Sequence, residues 1–159
     1  MEIVNNSFSY TVVGCSDGLS LAELRLRDAA IAAAKSAYAL YSNFFVGAAI
    51  LLNDDTIVIG NNQENGAYPS GLCAERVAIF SAHSRYPKKK IVQMAIVALV
   101  DNQITINPIT PCGGCRQVLL ESANRQQKLF KLLLIGREET IRIEDASSLM
   151  PLPFKFVKE

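Results

Sequence analysis

Three cysteines in two separate motifs are the residues of this sequence best suited to metal chemistry. Cys112 and Cys115 form a Cys-x-x-Cys pair at the start of a predicted helix, and Cys73 lies at the start of another. Thiolates bind zinc, and the backbone amides of a helix start stabilise anionic sulfur. Because three protein ligands leave one tetrahedral position free for water, this pattern is typical of a catalytic zinc site.

Glu75, two residues beyond Cys73, indicates what chemistry such a site would perform. Zinc lowers the pKa of bound water from about 15.7 to about 7, and a neighbouring carboxylate can accept the released proton and pass it on. The pairing of a three-cysteine zinc site with this carboxylate therefore suits hydrolytic deamination.

Other interpretations of the cysteines differ in what they require. A Cys-x-x-Cys pair alone is also typical of a structural zinc site or a thiol redox pair, but the redox interpretation leaves Cys73 and Glu75 without a role. A structural zinc needs a fourth ligand, for which only Cys15 or the lone His83 remains. Neither has a motif around it. We therefore interpret Cys15 as a small buried or surface residue, and His83 as a surface residue at a helix end.

The composition argues against polyanionic or membrane partners. The length of 159 residues suits a single domain spanning 1–159, and 16 Lys plus Arg against 15 Asp plus Glu give no broad electrostatic field. No stretch approaches the roughly 18 uncharged apolar residues that span a bilayer, and the start lacks a basic region followed by an apolar run. We expect a cytoplasmic protein that binds neither nucleic acid nor a membrane.

Hydrophobic periodicity predicts a mixed sheet between helices. A helix over 20–41 opens with Ser20 and Glu23, a capping-box pair. Further helices are predicted at 73–84 and 112–124, and strands at 45–52, 56–60, 91–100, 129–135 and 140–143. The short link 136–139 makes the last two strands antiparallel. This order predicts an α/β fold, a three-layer α/β/α sandwich with a mixed five-stranded sheet, preceded by an N-terminal extension, 1–19, of unassigned role.

Two segments carry a resemblance to a known family. Cys73-Ala74-Glu75-Arg76 and Pro111-Cys112-Gly113-Gly114-Cys115-Arg116-Gln117 resemble the two zinc motifs of the small, homotetrameric cytidine deaminases. The likeness runs from about 41 to 154, and Tyr41-Ser42-Asn43-Phe44 resembles the approach to the first strand of the family. It implies the cytidine deaminase fold and a zinc ion bound by the three cysteines.

The resemblance also implies roles for substrate-contacting residues. Asn62 and Glu64 match a pair that hydrogen-bonds the ribose hydroxyl, and Phe44 matches an aromatic that packs against the pyrimidine. Ala74, inside the first zinc motif, is expected to contact the substrate. Alternatives stay open from the residues alone: Phe44 could be core, and Asn62 and Glu64 could be turn residues after a strand.

Two arginines are expected to act on the zinc ligands. Three thiolates on a divalent ion leave a net negative site, which a nearby cation would correct. In the family the arginine matching Arg76 hydrogen-bonds ligand sulfurs, and Arg116 could assist. The alternative for Arg76 is an ordinary surface salt bridge.

The implied reaction converts cytidine to uridine, and 2'-deoxycytidine to 2'-deoxyuridine, with release of ammonia in pyrimidine salvage. Zinc-activated hydroxide would attack C4 of the base while Glu75 protonates N3 and then the departing amine. The family forms homotetramers in which a neighbouring subunit completes each site. Tyr68 and Phe154 stand where such closing residues occur, although the tail after Phe154 departs from the family's usual continuation.

Three other functions compete with this one. The same scaffold could deaminate a modified or antibiotic cytosine nucleoside, although Asn62 and Glu64 favour an ordinary ribose. Deamination of cytosine within RNA or DNA is disfavoured by the charge balance, because strand binding usually needs a basic groove with stacking aromatics. A non-catalytic zinc module would need a closed, four-ligand site.

Overall fold

The computed structural model describes residues 2–3, 5–14 and 17–156, so the interpretation of Cys15 lies outside the described residues. The helices are α1 (Leu21–Ala34), α2 (Ala74–Arg85) and α3 (Gly113–Gln126). The strands are β1 (Thr11–Gly14), β2 (Phe45–Leu52), β3 (Ile57–Asn61), β4 (Ile91–Val100), β5 (Gln103–Ile104), β6 (Lys131–Ile135) and β7 (Glu139–Ile143). In the described ranges no helix is both long and apolar enough to cross a membrane.

The strands form one mixed sheet in the order β1-β7-β6-β4-β2-β3, with β5 pairing beside the end of β4. The central strand β4 runs antiparallel to β2 and parallel to β6, and α3 makes the crossover between β4 and β6. The last two strands, β6 and β7, are antiparallel as the short link predicts.

The prediction of five strands is wrong, because the described part of the chain forms a sheet of seven. The additional strands are β1, from the N-terminal extension, which pairs with β7, and the two-residue β5, which forms a hairpin with β4. Neither carries an alternating apolar pattern of useful length. Their pairing depends on the neighbouring strand rather than on their own sequence.

Helices cover both faces of the sheet, which confirms the three-layer α/β/α architecture. One face packs against α1 through a small-residue core that includes Leu26, Ala30 and Ala34 from the helix. The opposite face packs against α2 and α3 through a larger core of Ile, Leu and Ala side chains. The two helices that begin with the cysteine motifs therefore lie side by side on one face.

The start of α1 matches its prediction and its end does not. Ser20 is the N-cap, and its side chain and that of Glu23 form the complete capping box. The predicted helix to residue 41 is too long, because α1 ends at Ala34. Beyond it the backbone of Tyr38 bonds with those of Asn62 and Glu64, 3.0 and 2.9 Å away. This pairing brings the segment after α1 against the segment after β3.

Gly60 allows α2 to lie unusually close to β3. A Cβ atom at this position would stand 2.4 Å from the backbone nitrogen of Ala78 and 2.7 Å from the carbonyl oxygen of Ala74. Because real Cβ atoms do not approach that closely, only glycine fits without moving the helix. Gly60 therefore sets the position of the first turn of α2, where Glu75 lies.

Candidate active site

The three motif cysteines come together where α2 and α3 begin. Cys73 is the N-cap residue of α2, Cys112 is the N-cap residue of α3, and Cys115 lies in the first turn of α3. Their sulfur atoms all lie within 4.8 Å of one another, and those of Cys73 and Cys112 are 3.9 Å apart. Residues 39 positions apart along the chain thus share one site.

This donor set fits a zinc ion. A tetrahedral zinc bound at about 2.3 Å from each thiolate places the sulfurs about 3.8 Å apart, close to the observed separation. Among the described residues, these three cysteines are the group of potential ligands that could hold a metal ion. Three ligands rather than four match an open site of the catalytic kind.

The charges around Cys73 favour its thiolate form. Hydrogen bonding from Cys115 lowers the pKa of Cys73 to about 5, opposed by burial and aided by Arg76. The Arg76 guanidinium donates through Nη2 to the Cys73 sulfur at 3.5 Å and to the Gly71 carbonyl at the same distance. Arg76 therefore contacts a cysteine sulfur rather than a surface carboxylate.

Glu75 is buried beside the cysteines, with 4% of its surface exposed. Burial raises the pKa of its carboxyl group, and the negative charge of Cys73 raises it further. A carboxyl group whose pKa moves toward neutrality can both accept and return a proton at physiological pH. The electrostatics therefore suit Glu75 to proton transfer.

Arg116 makes a different contact from the one expected. Its Nε donates to the carbonyl oxygen of Pro111 at 2.9 Å. Among the described residues it makes no hydrogen bond to a cysteine sulfur. Because Pro111 immediately precedes Cys112, Arg116 stabilises the loop that presents this cysteine.

Two clefts adjoin the cysteines. The inner cleft has a volume of about 440 Å³ and the outer cleft about 450 Å³. The side chains common to both are Ser42, Asn62, Glu64 and Cys73. The inner cleft is further lined by the expected substrate and catalytic residues Phe44, Ala74, Glu75 and Cys112, and the outer cleft by Tyr41, Tyr68 and Arg76.

Asn62 and Glu64 organise the segment that enters β2. Asn62 accepts a hydrogen bond from Val46 N at 2.7 Å and donates to Phe44 O at 2.9 Å. The Glu64 carboxylate accepts from the backbone nitrogens of Tyr41 and Ser42 and from the Ser42 hydroxyl. The Ser42 hydroxyl, followed by the backbone donors, lowers the pKa of Glu64. Both side chains are fixed in place with hydrogen-bonding capacity left over.

The residues expected to close the site across a subunit boundary are exposed. Tyr68 is 75% exposed and contacts Tyr41 edge to face, with ring centroids 6.1 Å apart. Phe154 is 74% exposed, and its backbone exchanges two hydrogen bonds with the Gln117 side chain on α3. Phe154 lines neither cleft.

The pairing of cysteine motifs with this fold is decisive when the chain is compared with known families. The family described as the cytidine and deoxycytidylate deaminase zinc-binding region matches residues 22–130, more than half of the chain. The chain belongs to this family. It is accordingly a zinc-dependent deaminase, and the prediction of the family from the two cysteine motifs is confirmed.

Individual relatives of this deaminase agree with that assignment. The cytidine deaminase of Halalkalibacterium halodurans is 39% identical over 79% of this chain and 88% of its own. The cytidine deaminase of Sporosarcina psychrophila is 40% identical over 80% of this chain and 85% of its own. The crystal structure of the cytidine deaminase from Burkholderia pseudomallei superposes with a TM-score of 0.69 at 36% identity, covering 82% of this chain and 98% of that one.

The sequence alone did not reveal two side-chain contacts, that of Ser42 with Glu64 and that of His83 with Ser122. Ser42 lines both clefts and contacts Glu64. The feature of the sequence that could have indicated this role is its position two residues before Phe44, because a serine there is typical of a side-chain turn. His83 lies in the last turn of α2, the helix-end position expected for it, but its side chain is partly buried rather than on the open surface. Its Nε2 lies 2.7 Å from Oγ of Ser122, which is 3% exposed, so His83 is half-buried between α2 and α3.

Proposed function

We propose that this chain deaminates cytidine and 2'-deoxycytidine hydrolytically, with Glu75 as the proton-transfer group and Cys73, Cys112 and Cys115 as the zinc ligands. The observation that carries the proposal is the burial of one carboxylate beside three clustered thiols at the wall of a cleft of about 440 Å³. When bound, zinc would lower the pKa of a water molecule and so supply a nucleophile at neutral pH.

Glu75 moves the protons in this proposal. It accepts one proton of the attacking water and delivers it to N3 of the pyrimidine as C4 is attacked. It then takes the second proton of that water, now on the C4 hydroxyl, and gives it to the departing amine, which leaves as ammonia while C4 becomes a carbonyl. Burial supports these roles because it raises the pKa of Glu75 and excludes competing water. Arg76 holds negative charge on Cys73, and Phe44 and Ala74 contact the base along the inner cleft.

The sugar would be recognised through one hydroxyl group. After its two backbone contacts, Asn62 retains one amide hydrogen. Oε2 of Glu64 accepts two backbone hydrogen bonds and Oε1 accepts one from Ser42, so Oε1 retains one acceptor position. Asn62 also keeps one lone pair on Oδ1, and its free amide hydrogen together with Oε1 of Glu64 supplies the donor and the acceptor that a single hydroxyl needs. This count supports turnover of both ribose and deoxyribose nucleosides.

The charge of the clefts favours a free nucleoside over a nucleotide. Among the described residues that line them, Arg76 is the one cation, and it already donates to Cys73 and Gly71. Glu64 and Glu75 contribute negative charge to the same surface. A phosphate group would therefore meet repulsion without a dedicated partner.

The chain is further proposed to act as a homotetramer in which Tyr68 and Phe154 reach the site of a neighbouring subunit, with pyrimidine salvage as its role. The high exposure of both aromatic side chains in the single chain supports this arrangement. Sedimentation of the zinc-loaded protein at micromolar concentration would give the mass of four chains, and a stable monomer with full activity would refute it.

Replacement of Glu75 by Gln tests the proposed function. The variant should keep its zinc, measured by metal analysis, and lose at least about two orders of magnitude in kcat on cytidine. Glu121→Gln, at an exposed position on α3, is the matched control and should match the unaltered protein. Full activity in Glu75→Gln, purified folded protein without zinc, or a preference for blasticidin S over cytidine and deoxycytidine would each contradict the proposal.

A further inference from the structure

Ser42 connects the two walls of the inner cleft through a single hydroxyl group. The hydroxyl donates a hydrogen bond to Oε1 of Glu64 and accepts one from the backbone nitrogen of Phe44 at 3.1 Å. Phe44 lies on the side of the cleft expected to contact the base, and Glu64 on the side expected to contact the sugar. The Ser42 side chain therefore fixes the position of Phe44 relative to Glu64.

The local backbone explains why a serine occupies this position. Asn43, between Ser42 and Phe44, has φ of 54°, in the left-handed region that asparagine tolerates better than most residues. A serine hydroxyl that accepts from the backbone nitrogen two residues later closes such a turn. The turn alone, however, needs only the acceptor function of the hydroxyl. Its donor function is directed at Glu64.

Glu64 needs that donor in order to present one oxygen in a defined direction. Oε2 is held by the backbone nitrogens of Tyr41 and Ser42, at 2.8 and 3.3 Å. Ser42 supplies the side-chain contact to Oε1, the oxygen with an acceptor position left for a ligand. Without the hydroxyl, Oε1 would lose its hydrogen bond to Ser42, and the carboxylate would be held through Oε2 alone.

We propose that Ser42 is a positioning residue for substrate specificity: its hydroxyl aims Oε1 of Glu64 at one sugar hydroxyl and holds Phe44 at a fixed distance from it. The inference rests on the proposed function of Glu64 as the sugar acceptor. It adds that discrimination for the sugar hydroxyl depends on Ser42, a residue that does not itself need to contact the substrate.

Four nucleosides, two variants of Ser42 and one control variant test the inference. Turnover is measured on cytidine, 2'-deoxycytidine, 3'-deoxycytidine and 2',3'-dideoxycytidine for the zinc-loaded unaltered protein, Ser42→Ala, Ser42→Thr and the control Ser84→Ala, which is exposed on α2. Ser42→Ala should raise KM for cytidine about tenfold, as expected for one hydrogen bond to a charged group, and change kcat about twofold or less. For 2',3'-dideoxycytidine, which lacks the hydroxyl that Glu64 would contact, KM should rise much less, through the lost contact with Phe44 alone. Ser42→Thr, which keeps the hydroxyl, should restore the preference for cytidine over 2',3'-dideoxycytidine.

Each alternative outcome has a distinct meaning when Glu64→Ala is measured on the same nucleosides. If Ser42→Ala weakens all four nucleosides equally, or changes only thermal stability, Ser42 merely supports the fold and the inference is overturned. If Glu64→Ala discriminates between sugars and Ser42→Ala does not, the inference fails and the proposed role of Glu64 stands. If Glu64→Ala weakens cytidine and 2',3'-dideoxycytidine equally, the role of Glu64 fails, and the inference with it.

Discussion

Acidification should remove a defined part of the folding free energy through Glu23. Its carboxylate lies at the start of α1, with 9% of the side chain exposed, and it accepts two hydrogen bonds from Arg142 at 3.0 Å. Burial alone would raise the pKa of Glu23, but hydrogen bonds from Ser20, Arg142 and Gln93 outweigh it and lower the value from 4.5 to about 2. The ionised form is therefore bound more tightly in the folded chain than in the unfolded one.

The magnitude and its pH window follow from that difference. A pKa near 2 instead of 4.5 corresponds to about 3 kcal/mol of stability, fully present above the unfolded-state value. It is lost as pH falls from about 4.5 toward 2, and about 2 kcal/mol should already be gone at pH 3. The loss belongs to the ionised Glu23, so Glu23→Gln should not show it.

Urea unfolding of both proteins between pH 6 and pH 3, in the presence of a chelator, measures this contribution. The other acidic groups titrate equally in both chains, so the difference between their unfolding free energies isolates Glu23. We expect the advantage of the unaltered protein to shrink by about 2 kcal/mol over this range. A difference that stays constant with pH would refute the assignment of a strongly lowered pKa to this carboxylate.

Two further predictions concern packing around the site helices. Gly60→Ala should destabilise the protein by about 3 kcal/mol or displace α2 and reduce activity, because the new Cβ would stand 2.4 Å from the nitrogen of Ala78. Thermal unfolding measures the loss of stability, and Gly14→Ala, with open space around the new Cβ, is the control. Gln126→Ala should lower the free energy of unfolding by about 2 kcal/mol or more, because it removes the side-chain partner of the backbone N–H and C=O of Ile91 in the interior. Urea unfolding beside the exposed control Asn124→Ala measures this loss. Equal stability of the two variants would contradict the prediction.

The elements most accurately predicted from the sequence are those that depend only on their own residues. The bounds of β2 and β4 agree with prediction because each is a largely apolar run buried on both faces, interrupted in β4 by Gln93 alone. The capping box of α1 is equally local. By contrast, α1 ends at Ala34 because Tyr38 pairs with a segment after β3, and no periodicity in the helix reveals a partner so distant in the chain.

The residues of the site likewise divide into those that their own motif predicts and those whose contacts depend on another element. The two cysteine motifs indicated that Cys73, Cys112 and Cys115 share one place, because a redox pair would leave Cys73 and Glu75 without a role. Contacts between side chains of different elements were not predictable. Ser122, which His83 contacts, looks like any serine of a helix until α2 and α3 are side by side. Arg116 likewise differs from Arg76 only in the direction of its side chain.

Cysteine is the N-cap residue of both α2 and α3, so the residues that suit metal binding are ones that stabilise a helix start poorly. Neither sulfur accepts a capping hydrogen bond from a backbone nitrogen of its own helix, so both helices begin without a side-chain cap. Serine, aspartate or asparagine at either position would supply that cap and stabilise the helix by about 1 kcal/mol. In the zinc-free chain such a replacement would therefore raise thermal stability, and it would remove the atoms on which the proposed reaction depends.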